Sequence, residues 1–314
     1  MGHSHSHSRP HSHSHSHGTA TGRHRGRLRA VLAITLTVMV VQVAGGLASG
    51  SLALLADAGH MLTDAAGVGF ALLAASFAAR PATAARTFGY QRAEILAAVI
   101  NALLLFGVAA YVLVQAVRRI AAPPEVSSGL MLVVAVVGLA ANLVSLMLLH
   151  RGQGESLNLR GAYLEVLGDL LGSAAVIVAA VVIALTGFTR ADAIASALIG
   201  LMILPRTWGL LRDAVDVLLE ATPKAVDLAH VRDHITGIPG VVEVHDLHAW
   251  TITSGVPVLS AHVVVDDAVL AEGCNGSAVL DKLGECLAAH FDVEHCTFQL
   301  EPASHRDHES AYHV

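Results

Sequence analysis

Two pairs of ionisable side chains fall inside runs that are otherwise apolar. SLALLADAGHMLTDAAGVGFALLAASFAA, residues 51–79, holds His60 and Asp64, and GAYLEVLGDLLGSAAVIVAAVVIALT, residues 161–186, holds Glu165 and Asp169. Each pair is spaced i, i+4, so on a helix its side chains stack one turn apart on one face. At the centre of a membrane helix each such group costs ~2.5–3.5 kcal/mol on insertion scales, and such groups mark ion pathways or proton relays. One imidazole and three carboxylates contributed by two helices form a donor set for a divalent metal ion. Neither run contains a lysine or arginine, so a divalent cation would offset the charge better than any partner within the segments. Metal ligands must be deprotonated, so loading the set releases protons, and His60 carries the side chain whose ordinary titration lies nearest neutrality. Asp57 sits three residues before His60 on the same face. Two roles stay open for it: orienting the imidazole from behind, or capping or facing solvent near the helix start.

The elements that must carry these pairs are membrane helices. Six apolar segments, roughly at 28–48, 51–78, 91–119, 128–149, 160–186 and 191–212, are each long enough to cross ~30 Å of hydrocarbon at 1.5 Å per residue. Arginines place the ends. Arg23, Arg25, Arg27, Arg29, Arg80, Arg86, Arg92, Arg151 and Arg160 fall on one side, and Arg118, Arg119 and Arg190 on the other. Both termini are therefore expected on the cytoplasmic side of a bacterial plasma membrane. Gln42, Asn101 and Asn142 within the spans suit hydrogen bonding between helices.

Hydropathy falls after about Thr222. From there Val226–Thr236 reads as a helix, Val241–Thr253 and Val256–Asp266 as strands, Gly276–His290 as a helix and Glu294–Glu301 as a strand. That order, α-β-β-α-β, makes a small α+β layer with one sheet face covered. It is small enough that dimerisation would help to stabilise it. The organisation expected is a His-rich, disordered tail over 1–27, a six-helix transmembrane domain over 28–216, a cytoplasmic α+β domain over 223–302 and a short tail over 303–314.

Composition agrees. Hydrophobic residues make up 54% and charged residues 14% of the 314, with mean hydropathy +0.60, unusual for a soluble globule. Three cysteines, Cys274, Cys286 and Cys296, are too few and too late in the chain for a disulfide framework. No cleavable signal peptide is visible, and a net charge of −6 gives no basis for nucleic acid binding.

SLALLADAGHMLTDA at 51–65, FGYQRAEILAAVINA at 88–102, LNLRGAYLEVLGDLLGS at 157–173, AVDVLLEATP at 214–223 and VEVHDLHAW at 242–250 together resemble the cation diffusion facilitator family. The likeness runs over nearly the whole chain beyond residue 25. It implies an α-helical membrane protein with six transmembrane helices and a cytoplasmic metallochaperone-like (ferredoxin-like αββαβ) domain. It further implies a homodimer that exports zinc or related divalent ions in exchange for protons, with no prosthetic group. The transport ligands it implies are His60 with Asp64, and the pair at 165 and 169. The zinc-exporting branch usually carries histidine where this chain has Glu165. A carboxylate there gives a harder, more negative site, although zinc still accepts it. Zinc is the leading substrate, with cobalt, cadmium, manganese or iron as alternatives. By the same resemblance His245, His262 and the end of the last strand, Glu301, match regulatory metal positions at a dimer interface. Arg92 and Glu220 match an inter-subunit charge pair.

Other histidines compete for attention. His3, His5, His7, His11, His13, His15 and His17 alternate with serine or flank Arg9-Pro10 and read either as a flexible metal collector or as a dispensable solvated tail. His245 and His248 are three apart, so on a regular strand they face opposite sides and need not share an ion. His295 and Cys296 offer an imidazole and a thiol. The intramembrane metalloprotease alternative would need a motif such as HExxH, and the chain has none. A membrane-bound metal sensor would give the charged intramembrane pairs little purpose.

Overall fold

The computed structural model describes residues 25–150, 157–270, 275–291, 293 and 295–306. Six long helices come first: α1 (Arg25–Ser49), α2 (Leu52–Ala78), α3 (Ala93–Ala121), α4 (Ser128–His150), α5 (Leu157–Thr186) and α6 (Arg190–Leu218). Each has the length and apolar composition to cross a membrane. There follow α7 (Leu228–Thr236), β1 (Val241–Thr251), β2 (Pro257–Val265), the single turn α8 (Asp267–Leu270), α9 (Asn275–Phe291), β3 (His295–Pro302) and the single turn α10 (Ala303–Arg306). The six spans and the α-β-β-α-β order expected from the sequence are both present. The histidine-rich segment to His17 lies outside the described residues.

The chain divides into two compact units whose boundaries cut through α2, α3 and α6. The first comprises residues 1–62 and 112–200, and the second 63–111 and 201–314.

In the first unit, small residues let the helices approach. A Cβ on Gly45 would lie 2.5 Å from a Val134 methyl, so α1 meets α4 at a point where only glycine fits. The turn between α1 and α2 is made by Gly50, at φ +73, a conformation that suits glycine. The first turn of α2 is capped from far away in sequence. The carboxylate of Asp192, 1% exposed at the start of α6, accepts from Ser51 Oγ at 2.6 Å, from the Leu52 amide at 2.8 Å and from the Ala53 amide at 3.1 Å. An anion at a helix N-terminus satisfies donors that the helix itself leaves open. Arg119, at the end of α3, lies 3.6 Å from the same carboxylate and donates to the Gly50 carbonyl at 2.6 Å. Arg190 donates to the Ile120 carbonyl at 2.9 Å, and the Ser127 amide to the Ser49 carbonyl at 2.9 Å. This end of the bundle is thus laced by hydrogen bonds in which charged side chains cap helix ends.

In the second unit the sheet has strand order β1-β2-β3, with β1 and β2 antiparallel and β2 and β3 parallel. The parallel pair needs a crossover, and α9 supplies it. Val231 and Ile235 of α7 and Val279, Leu283 and Leu287 of α9 pack on Val244, Leu247, Ala249, Leu259, Ala261, Val263 and Val265 of the sheet. Asp227 caps α7 by accepting from the amides of Ala229 and His230. The Thr253 hydroxyl, just past β1, donates to Glu94 in the first turn of α3 at 2.6 Å.

Asp192→Ala should lower the unfolding midpoint of the detergent-solubilised protein. The loss is on the order of 2 kcal/mol, at the upper end for an ordinary cap (~0.5–2 kcal/mol) and short of a broken buried pair (~3–5 kcal/mol), because Arg119 stays 26% exposed. An unfolding midpoint equal to that of the unaltered chain would show that the cap does not hold α2.

Candidate metal sites

His60 and Asp64 lie one turn apart in the middle of α2, and both are half-buried; on α5, Glu165 is half-buried and Asp169 is 3% exposed. Within the first unit α2 and α5 meet one turn beyond these residues. A Cβ on Gly172 would stand 2.6 Å from Asp57 Oδ1, and Asp57 also hydrogen-bonds the Ser173 hydroxyl. His60 follows Asp57 by three residues, and Asp169 precedes Gly172 by three. Each therefore lies about 4.5 Å of helix rise from that contact.

Asp57 lies in the second turn of α2 and is 1% exposed, so it neither caps the helix nor faces solvent. Its carboxylate accepts from Gln42 Nε2 of α1 at 2.6 Å and from Ser173 of α5. Its hydrogen bonds tie α2 to α1 and α5. Asn142 of α4 donates to Ser173 Oγ at 3.4 Å, so Gln42 and Asn142 do bridge helices as expected. The Asn101 side chain lies so close to Gly67 that a Cβ there would meet its amide at 2.6 Å.

The second site is on the sheet face turned away from α7 and α9. His245, His262 and Glu301 each offer a ligand atom, and these atoms lie within 4.8 Å of one another. His245 Nε2 is 2.5 Å from Glu301 Oε1, and His262 Nδ1 is 3.8 Å from Oε2. The register explains the meeting: His245 pairs with His262 across β1 and β2, and Glu301 pairs with Val264 across β2 and β3. Glu301 is 2% and His245 8% exposed. A buried imidazole, a second imidazole and a carboxylate form a donor set that zinc accepts. His305 Nε2 stands 3.9 Å from Glu301 Oε2. Among the described residues no other three such side chains close to this distance.

One expectation changes here. His245 and His248 do not face opposite sides. The strand register shifts between them, and Asp246 takes φ 48. This bulge keeps Val244 and Leu247 both in the core and puts both histidines on the other face. His248 still stays out of the cluster, because it is 63% exposed and pairs with Asp246 Oδ1 at 2.8 Å. Arg92 and Glu220, which the resemblance gives as an inter-subunit charge pair, also bond each other within this chain at 2.8 Å. Glu220 takes φ 58 just past α6, where the Ala221 amide closes the helix on the Asp216 carbonyl at 2.9 Å. Both partners are more than a third exposed, which makes the pair weak.

His295 and Cys296 do not form a pair. Cys296 packs against the core and burial pushes its thiol up, while His295 is exposed and meets the Phe88 ring at 5.4 Å. Sequence reasoning missed Asp192. The available signal was an acidic residue in the first turn of an apolar span.

With the geometry in place, comparison with known proteins is decisive. Residues 28–219 match the cation efflux transmembrane domain and residues 223–303 the cation efflux protein cytoplasmic domain. The chain belongs to the cation efflux family. It is an integral, multi-pass membrane protein of that transporter family, also called cation diffusion facilitators. It is 50% identical over 275 residues to the metal cation efflux system protein CzcD of Cupriavidus metallidurans, covering 88% of this chain and 86% of that one. It is 45% identical over 265 residues to the zinc transporter ZitB of Escherichia coli, covering 84% and 83%. It is 39% identical over 276 residues to a cadmium, cobalt and zinc/H(+)-K(+) antiporter of Bacillus subtilis, covering 87% of each.

For this cation efflux protein, His245→Ala or Glu301→Gln should each remove one zinc equivalent per chain, read by equilibrium dialysis and elemental analysis of the purified protein. His248→Ala should leave the count unchanged. A count that falls only with His248→Ala would reverse the assignment.

Proposed function

We propose that the chain exports a divalent metal cation, zinc before cobalt, cadmium, manganese or iron, from the cytoplasm in exchange for protons. The observation that carries this is the placing of two ionisable pairs inside apolar helices. His60 and Asp64 sit on α2 and Glu165 and Asp169 on α5, with His60 and Asp169 equally far along their helices from the Asp57–Gly172 contact. These four are the transport ligands. Membership of the family supports the reading, as do its relatives, among them a zinc transporter and a cadmium, cobalt and zinc/H(+)-K(+) antiporter.

The chain's own residues supply the coupling. A loaded site needs its carboxylates ionised and its imidazole neutral, so metal and protons compete for the same atoms. Protons that reach the site from outside displace the metal outward. Helices rocking about a site near the midplane would expose it to each side in turn. Glu165 adds a hard oxygen where an imidazole would be softer, which widens the choice of metal. The protein works as a homodimer in the plasma membrane of a bacterium, with both termini in the cytoplasm. The His245, His262 and Glu301 cluster binds metal as a regulator of the transporter, and the histidines up to His17 collect metal near the cytoplasmic mouth.

The test is uptake into proteoliposomes with an imposed pH gradient. Metal should accumulate against its own gradient while the proton gradient lasts. Flux only down the metal gradient would indicate a channel, and no flux a sensor. Asp169→Ala should abolish uptake while the protein stays folded and dimeric by size-exclusion chromatography. Uptake at the normal rate in that variant would refute the ligand assignment. Glu165→His should shift preference toward zinc in competition with cobalt and manganese, and an unchanged preference would show that ligand hardness does not decide the substrate.

A further inference from the structure

Asp57 is a buried carboxylate that the transport reading does not use. Four helices of the first unit converge on it. Gln42 of α1 donates to Oδ2 at 2.6 Å, the Ser173 hydroxyl of α5 hydrogen-bonds it, and Asn142 of α4 donates in turn to Ser173 Oγ. Two glycines make room for the group. A Cβ on Gly172 would lie 2.6 Å from Asp57 Oδ1 and 3.4 Å from Cγ; one on Gly138 would lie 3.2 Å from Gln42 Nε2 and 3.5 Å from Ser173 Oγ. Gln42, Asp57, Asn142 and Ser173 are all at most 1% exposed, so bulk solvent does not reach them. The carboxylate therefore works as a spacer of fixed size between α2 and α5.

We propose that Asp57 is a positioning and specificity-determining residue, setting the separation of the ligand-bearing turns of α2 and α5 and so the size of ion they accept. This role rests on His60 and Asp169 being transport ligands. Each lies one turn from the spacer, so a change in helix separation at Asp57 and Gly172 is carried to them almost undiminished. Discrimination among divalent ions follows cavity size as well as ligand type. Cadmium is larger than zinc and prefers longer bonds, so widening this spacing favours cadmium.

The experiment measures zinc and cadmium uptake in parallel by proteoliposomes carrying single variants. Gly172→Ala forces a methyl against the carboxylate and Asp57→Glu lengthens it by one methylene. Both should raise the cadmium-to-zinc ratio by about tenfold. Asp57→Asn keeps the size and an acceptor for Gln42 Nε2, while Ser173 can accept from the new amide, so its ratio should stay at that of the unaltered protein. A role in folding alone would reduce both metals equally and would not spare asparagine. If Gly172→Ala does not reach the membrane, the milder Gly138→Ala, which presses on Gln42 Nε2, takes its place with the same expectation. A ratio unmoved in the methyl-adding variant and in Asp57→Glu, or moved as far by Asp57→Asn, overturns the spacing role. Asp169→Ala run alongside separates the two readings. If it is inactive while the ratios stay fixed, only the spacing role falls; if it still transports both metals, the ligand assignment falls and the spacing role with it.

Discussion

In hydrocarbon a polar side chain must find its partners inside the protein, because water is not there to supply them. That constraint governs the first unit of this transporter. Asp57 and Asp192 are both nearly inaccessible, and each is answered by donors from other helices. Asp192 draws on a helix N-terminus, a hydroxyl and an arginine. Asp57 draws on an amide and a hydroxyl. Charge-assisted hydrogen bonds of this kind contribute about 1.5–3 kcal/mol each when their donors are well placed. They also specify which helix lies against which, something lipid-like Leu and Val faces cannot do.

The two networks divide the labour along α2. One fixes its first turn, at Ser51, Leu52 and Ala53; the other fixes the next turn and a half, at Asp57. His60 comes immediately after. Gly59, beside the imidazole, and Gly67 and Gly69 further on lower the helix propensity of this stretch.

Much of this was legible in the chain, and the reasons differ from element to element. The six spans declare themselves because twenty apolar residues in a row leave few other folds. The i, i+4 pairs are equally plain, since helix periodicity is local. The strand and helix order of the C-terminal domain followed from alternation and turn residues. What could not be read depended on partners far away. Asp57 gave no hint of Gln42 or Ser173, 15 and 116 positions distant, and Asp192 caps a helix some 140 residues before it. Which face His248 takes turned on a single residue, Asp246, adopting a left-handed backbone. Asparagine and aspartate tolerate that conformation better than most side chains, but nothing in the sequence places the bulge there.

The cytoplasmic-domain cluster illustrates why the bulge matters chemically. On a regular strand, keeping Val244 in the core would turn Leu247 out, and a hydrophobic residue would be lost to the other face. The extra residue restores Leu247 to the core while leaving His245 opposite His262. Glu301 arrives from the parallel strand β3, whose Phe298 and Leu300 pack on the same core. The alternation that buries those two side chains turns Glu301 toward the histidines. The three side chains meet because each strand satisfies its apolar face first, and a pleated sheet then leaves them only one common side on which to stand.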